Sequence, residues 1–279
     1  MMAGEYPPYS VLMSVYRNDN PSFFDIAMQS MVEQTVPFHE IVLVCDGPLG
    51  ATLDERVEAW REILSSRLVV VRLPENRGLG AALQAGLEKC SCEYVARMDS
   101  DDISRPTRCE LLLQAMVEEG LDLMGGAIAE FTEIPGDQNS ILRLPTSQSA
   151  IREYSKQRNP FNHVSVMFRK AAVDAVGGYK PFYLMEDYYL WVRMLENGCT
   201  CRNIEEVLVD VRVGAGMYRR RSTGAYLKSQ KQFFDYLLEI GYISRPVYLK
   251  TMAARAVLAV LPEGAVKKIY NRLLRTRNA

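Results

Sequence analysis

From residue 9 to residue 98 the chain alternates between two kinds of pattern, and this alternation constrains the fold more than any other feature. Four short apolar runs, YSVLMSVY (9–16), EIVLVC (40–45), LVVVRL (68–73) and EYVARM (93–98), are rich in β-branched residues. Between them, residues 22–34, 52–65 and 79–89 carry apolar residues at helical spacing. Continuous apolar runs suit strands buried on both faces. Strands alternating with helices imply right-handed crossovers and a parallel, doubly wound α/β sheet.

Ligands of such sheets bind beyond the carboxyl ends of the strands. Tyr16-Arg17-Asn18-Asp19, Asp46-Gly47-Pro48, Glu75-Asn76-Arg77-Gly78 and Asp99-Ser100-Asp101-Asp102 each follow a predicted strand, so four strand ends offer polar groups to one crevice. The Asp99–Asp102 cluster concentrates negative charge. It suits a hard divalent cation that shares its shell with a substrate phosphate; the alternative is an acidic loop that caps the next helix. Asp46 is placed either to accept from a base or ribose or simply to form a turn. Asn76-Arg77-Gly78-Leu79-Gly80 opens a helix and favours an anion through exposed N–H groups. It lacks the lysine of a P-loop and the third glycine of a dinucleotide fingerprint. Glu186 and Asp187 read either as ordinary acids of a first helical turn or as groups beside a pocket wall made by Pro181, Phe182 and Tyr183. His163 is one of only two histidines, and is either structural or a contact to metal or phosphate.

The second half predicts a surface loop over 132–148, strands over 164–169 and 207–213, and helices over 170–176 and 186–197. Beyond residue 223 everything reads helical, with breaks at Gly241 and at Pro262-Glu263-Gly264. The formal net charge of −1 argues against a nucleic-acid binder, yet residues 245–279 hold eight basic residues and one acid. A basic amphipathic tail fits either an anionic membrane surface or a helix packed on the acidic body. The six cysteines, with two C-x-C pairs, read as free thiols of a reducing compartment. No apolar run approaches the roughly 20 residues of a membrane span, and no signal peptide opens the chain, so a cytoplasmic location is expected.

Taken together, SVLMSVYRND, EIVLVCDGP, ENRGLGAALQAGL, YVARMDSDDISRPTR, NPFNHVSVMFRKAAVDAVGGY and MEDYYLWVRMLENG, spanning residues 9–213, resemble family 2 glycosyltransferases. Within that family the chain is similar to bacterial enzymes of O-antigen and amylovoran-type exopolysaccharide synthesis. The resemblance implies a GT-A fold: Rossmann-like, with a mostly parallel central sheet flanked by helices. The transferase domain would span 1–222, with a nucleotide-sugar half over 1–130 and an acceptor half over 131–222. A basic helical region, 223–279, would follow.

The resemblance further implies inverting transfer of a hexose, from UDP-glucose or UDP-galactose, to a sugar on an undecaprenyl-diphosphate carrier. Asp46 would hold the uracil, and Asp99 the ribose or the metal. Asp101 would be the main ligand of Mn²⁺ or Mg²⁺, supported by Asp102, and Asp187 the general base. Arg77, Glu186 and His163 would contact substrate, and local charge suggests that Arg219, Arg220 and Arg221 close over phosphates. The usual Asp-Asp-Gly-Ser of the family stands here as Cys45-Asp46-Gly47-Pro48, one acid fewer. The enzyme would act peripherally at the inner face of the cytoplasmic membrane. The competing expectations are a metal-dependent nucleotidyltransferase, although no Gly-rich, Lys-bearing first loop is present, and a non-catalytic nucleotide-sugar-binding module.

Overall fold

The computed structural model describes residues 6–214, 224–260 and 275–276. The first half follows the predicted alternation: β1 (Tyr9–Val15), α1 (Pro21–Val32), β2 (Glu40–Cys45), α2 (Ala51–Leu64), β3 (Leu68–Arg72), α3 (Leu79–Leu87) and β4 (Tyr94–Asp99). α1 starts where the sequence permits it. Pro21 occupies the first turn, and the Asn20 side chain accepts from the amides of Ser22 and Phe23 at 2.9 and 3.4 Å.

β1 lies between β2 and β4, parallel to both, and β3 extends the sheet beyond β2. Alternate side chains of the buried strands point to opposite faces. Val11, Met13 and Val15 pack with Phe24, Met28, Val57 and Trp60 of α1 and α2. Leu12 and Val42 face the other way, toward Leu83 and Leu87 of α3 and Trp191 of a later helix. Both faces are therefore covered, as the continuous apolar runs require.

Beyond β4 the topology changes. β5 (Ile103–Ser104) and α4 (Arg108–Glu119) precede β6 (Leu123–Phe131), a strand buried along its whole length. β7 (Ser140–Leu142) lies within the segment expected to be a surface loop. After α5 (Gln148–Tyr154) come β8 (Met167–Arg169), α6 (Lys170–Asp174), α7 (Glu186–Glu196) and β9 (Cys201–Arg212). β8 bridges β4 and β6 and runs antiparallel to both, whereas β9 is parallel to β6. The sheet is thus parallel in its first half and mixed in its second. The predicted strand over 164–169 is split, because residues 163–165 form a 3-10 turn ahead of β8.

Two helices, α8 (Gly224–Glu239) and α9 (Arg245–Val260), follow, separated by Gly241 as expected. Phe233, Phe234 and Leu237 of α8 pack on Tyr188 and Val192 of α7, joined by Val247, Tyr248 and Met252 of α9. The predicted break at 262–264 and the arginine run 219–221 lie outside the described residues. Residues 275–276 form a short strand, β10, antiparallel to β7, where the pattern reads as helix. All six cysteines are buried free thiols.

Phe233 is fully buried at the junction of α7 and α8. Phe233→Ala is expected to cost about 3–5 kcal/mol through the cavity it leaves. Urea unfolding followed by circular dichroism checks this; an unchanged midpoint would mean that the helical pair is not part of the cooperative core.

Candidate active site

Register places the site. At the carboxyl end of β1, Val15 pairs with Cys45 and Ser14 with Asp99. Asp46 and the Asp99–Asp102 loop therefore leave the sheet on either side of one strand, and Asp19 follows directly after that strand. Asp19 ties the ends together, accepting from the Tyr16 amide at 3.1 Å and the Ser100 hydroxyl at 2.7 Å.

Asp46 is nearly fully buried. Its carboxylate accepts from the amides of Arg77 and Gly78 at 2.7 and 3.0 Å. The amides expected to meet a substrate anion thus bind an anion of the chain itself, and the Arg77 side chain stands exposed. Gly47 makes this approach possible. Its φ is +84°, and a Cβ there would lie 2.6 Å from the Asn76 amide nitrogen. Gly80 serves the next contact, since a Cβ would meet Lys180 O and Glu186 Cβ at 3.1 Å. The start of α3 is so seated against the start of α7.

The acidic loop is built around Arg97, a fully buried cation in an otherwise apolar strand. Arg97 forms a forked ion pair with Asp99. Asp102, expected either to support a metal or to cap α4, instead accepts from the Arg212 amide of β9 at 2.8 Å; α4 begins later, after Thr107. Burial, followed by the charges of Asp99 and Asp101, pushes the Asp102 carboxyl well up. Asp101 is pushed up to about 6 by loss of water, then by Asp99 and Asp19. This loop carries more negative charge than Arg97 balances. Among the described residues no three His, Cys, Asp or Glu groups form a closed cation site. An open set of one or two carboxylates is the arrangement in which a hard divalent ion completes its shell with water and substrate phosphate. The residues fit Mn²⁺ or Mg²⁺ in that sense.

A cavity of about 710 Å³ opens beside this loop. Asp99, His163, Glu186 and Asp187, predicted from distant segments, all line it, whereas Asp46, Arg77 and Asp101 stand outside its wall. Asp187 accepts from the Asn159 side-chain amide at 2.6 Å and from the Tyr188 amide at 2.7 Å. Asn159 therefore orients the acid that the sequence singled out. Glu186 is buried, and burial followed by the adjacent Asp187 charge pushes its carboxyl up to about 7. His163 shares a hydrogen bond with Tyr179 through Nε2 at 2.9 Å and stands edge-on to Trp191. Burial, reinforced by Arg97, holds its pKa well down. A neutral imidazole in that setting offers hydrogen bonding and no charge. Arg220 lies outside the described residues.

Asp19 was expected at a strand end that faces the crevice, whereas Arg97, Asn159 and the cavity-facing part of α9 were not singled out in the sequence. Of the latter, only Arg97 left a local signal, as the one charge inside YVARM.

The family model described as Glycosyl transferase family 2 matches residues 10–176. The chain belongs to glycosyl transferase family 2. It is 37% identical over 275 residues to a UDP-Gal:alpha-D-GlcNAc-diphosphoundecaprenol beta-1,3-galactosyltransferase of Escherichia coli, covering 98% of this chain and 99% of the relative. It is 36% identical to the amylovoran biosynthesis glycosyltransferase AmsE of Erwinia amylovora, covering 95% and 98%. A mannosyltransferase of Pyrobaculum calidifontis, solved with GDP-Man and Mn²⁺, superposes with a TM-score of 0.64 at 18% identity, covering 96% of this chain and 81% of that one. S. aureus TarS with UDP-GlcNAc gives 0.63 at 17% identity, covering 95% and 71%. These likenesses establish the GT-A-like fold, with its mixed sheet, flanking helices and C-terminal helices. The chain is a glycosyltransferase.

The raised Glu186 carboxyl binds its proton more tightly in the folded chain than in the unfolded one. Its contribution to stability is therefore full below the ordinary glutamate value near 4.5 and lost as pH rises through about 7. Glu186→Gln is expected to raise the melting temperature at pH 8 more than at pH 5. Calorimetry at both pH values checks this, and an equal shift at both would contradict a raised carboxyl.

Proposed function

We propose that this family 2 enzyme transfers galactose from UDP-galactose to N-acetylglucosamine on an undecaprenyl-diphosphate carrier, with inversion to a β-linkage, in O-antigen or exopolysaccharide synthesis. One observation carries the reading: a single cavity joins Asp99, at the end of β4, to Asp187, at the start of α7. The near full-length E. coli relative supports the choice of donor and acceptor.

Asp46 holds the uracil end of the donor. Its carboxylate keeps lone pairs free after accepting from Arg77 and Gly78, so it accepts one further N–H. Asp101, with Asp99, would hold a divalent cation, which would supply Lewis-acid neutralisation of the departing diphosphate. The bond from the sugar C1 to the phosphate oxygen breaks, leaving UDP, while an acceptor hydroxyl forms the new bond to C1 from the opposite face. Asp187 takes the hydroxyl proton as general base. Asn159 holds the Asp187 carboxylate in place for this step. Glu186, adjacent and prone to hold its own proton, keeps the second negative charge away from Asp187.

The place of action follows from α9. Leu249, Ala253, Ala256 and Val257 form one exposed stripe along it, at helical spacing. Arg245 and Lys250 flank this stripe. No helix of the described residues is long and apolar enough to cross a membrane. The stripe supports peripheral seating on an anionic bilayer, where the carrier lipid resides.

Incubation with UDP-galactose, Mn²⁺ and a diphosphate-linked N-acetylglucosamine lipid is expected to yield a β-linked disaccharide by NMR. EDTA and Asp187→Asn are each expected to lower transfer by more than about 100-fold, the scale of a lost general base or metal. UDP binding by Asp187→Asn, read by calorimetry, stays within about twofold, because Asp187 contacts the acceptor side alone. Near-normal turnover in that variant overturns the assignment of the base. Separately, Leu249→Glu/Val257→Glu is expected to abolish sedimentation with phosphatidylglycerol liposomes. Unchanged sedimentation would place the membrane contact elsewhere.

A further inference from the structure

The wall of the cavity formed by α9 takes no part in the steps above. Three of its residues, with Arg158 from the segment after α5, present polar groups that no carboxylate meets among the described residues. Thr251 is 7% exposed, and its hydroxyl oxygen has no hydrogen-bond partner. A threonine inside a helix ordinarily bonds back to the preceding turn; this one does not. Arg255, one turn on, lies over the Phe234 ring at 4.5 Å and donates through Nη2 to Gln157 O at 2.9 Å. Its Nε is buried without a partner. Arg158 and Lys250 also line the cavity, and neither they nor Arg255 pairs with a carboxylate among the described residues.

Elsewhere on the surface Arg72 pairs with Asp54 and Glu58, and Arg152 with Glu196. Three cations without a carboxylate partner, beside a hydroxyl without a hydrogen-bond partner, on one side of a cavity, suit a multiply charged anion. The acids of the same cavity, Glu186 and Asp187, belong to the start of α7. The two ends of the cavity are thus matched to different parts of one ligand. A sugar hydroxyl meets the carboxylates, and a phosphate group attached to that sugar meets α9.

We propose that Arg158, Lys250, Thr251 and Arg255 form a subsite for the diphosphate of the carrier-linked acceptor. This inference rests on the transferase reading given above, because it needs an acceptor sugar at Asp187. It assigns α9 two faces. Leu249, Ala253, Ala256 and Val257 lie on the bilayer, while Lys250, Thr251 and Arg255 receive the phosphates that emerge from it. A lipid-linked diphosphate is thereby separated from the donor diphosphate, which is held at the strand ends.

The test uses the full chain saturated with UDP and Mn²⁺, so that the donor site is filled. Decyl diphosphate is titrated in by calorimetry. Arg158→Ala/Lys250→Ala alters exposed residues and spares the core. It is expected to weaken decyl diphosphate binding by at least about tenfold, the worth of charge-assisted contacts. It should also raise KM for the acceptor more than it lowers kcat, whereas Lys250→Arg keeps binding within about threefold. Thr251→Val, which removes the hydroxyl at nearly constant volume, is expected to weaken binding in the same direction. Equal affinity of the double variant and the original chain overturns the subsite. Inorganic pyrophosphate bound as tightly as decyl diphosphate would overturn its assignment to a lipid carrier. A chain that fails to bind UDP in the first place removes the proposed UDP-galactose reading, and with it this subsite; UDP binding with decyl diphosphate affinity unaltered in the double variant removes the subsite alone.

Discussion

The site depends on one buried charge. Arg97 sits in a strand whose neighbours are apolar, and its guanidinium is removed from water entirely. Such a group persists only when paired, since the cost of an isolated buried charge is several kcal/mol. Asp99 supplies the pair, and so fixes where the backbone turns out of β4. The fields of Arg97 also reach Asp101, Asp102, Glu186, Tyr179 and His163. One cation at the end of a central strand thus sets the electrostatics of both the acidic loop and the start of α7. It stabilises acids that would otherwise repel one another, and adds to the burial that keeps His163 neutral.

A second buried arginine secures the first. Arg108, fully buried at the start of α4, donates to the carbonyl of Arg97 and, at 3.2 Å, to that of Val166. It satisfies backbone groups at the point where β4 leaves its parallel neighbour and meets β8. This is where the sheet changes from parallel to mixed. In a wholly parallel sheet, helices would cover both faces across its whole width. Here β8 runs the other way between β4 and β6, and the helical pair α8–α9 packs against α7 instead. The cavity is the space left between these arrangements, with the acids on one side and α9 on the other.

Legibility in the sequence followed the local signal. β1 to β4 and their helices were readable because each strand is a continuous apolar run and each helix keeps its period. β6 was not, although it is buried throughout. LMGGAIAEF carries two glycines and two alanines, which weaken a strand pattern that only tertiary burial restores. β7 was hidden for a related reason, since three residues between Pro- and Gly-rich turns carry little periodicity. Asp99, His163, Glu186 and Asp187 were recognisable as chemical types at strand and helix ends, and the fold brings them to one cavity. Asn159 and Thr251 were not, because nothing local distinguishes an amide that orients an acid, or a hydroxyl without a partner, from any other polar residue. Such roles arise between segments far apart in the chain.

Asp46 shows how a departure from the family pattern is absorbed. Where relatives by motif carry two acids, this chain has Cys45 and Asp46. Cys45 is fully buried at the edge of the α1–α2 core, and burial pushes its thiol up to about 11. A second carboxylate at that position would lie in the apolar cluster around Leu43 and Val15, and Arg72, whose charge reaches it, already pairs with Asp54 and Glu58. The single remaining acid instead spends two of its lone pairs on the amides of Arg77 and Gly78, locking the loop after β3 to the end of β2. A carboxylate offers about four such sites, so structural and recognition duties do not exclude each other. On the proposed reading, Asp46 is already oriented before a nucleotide arrives, and the ordering cost that a free acid would add to binding is met during folding.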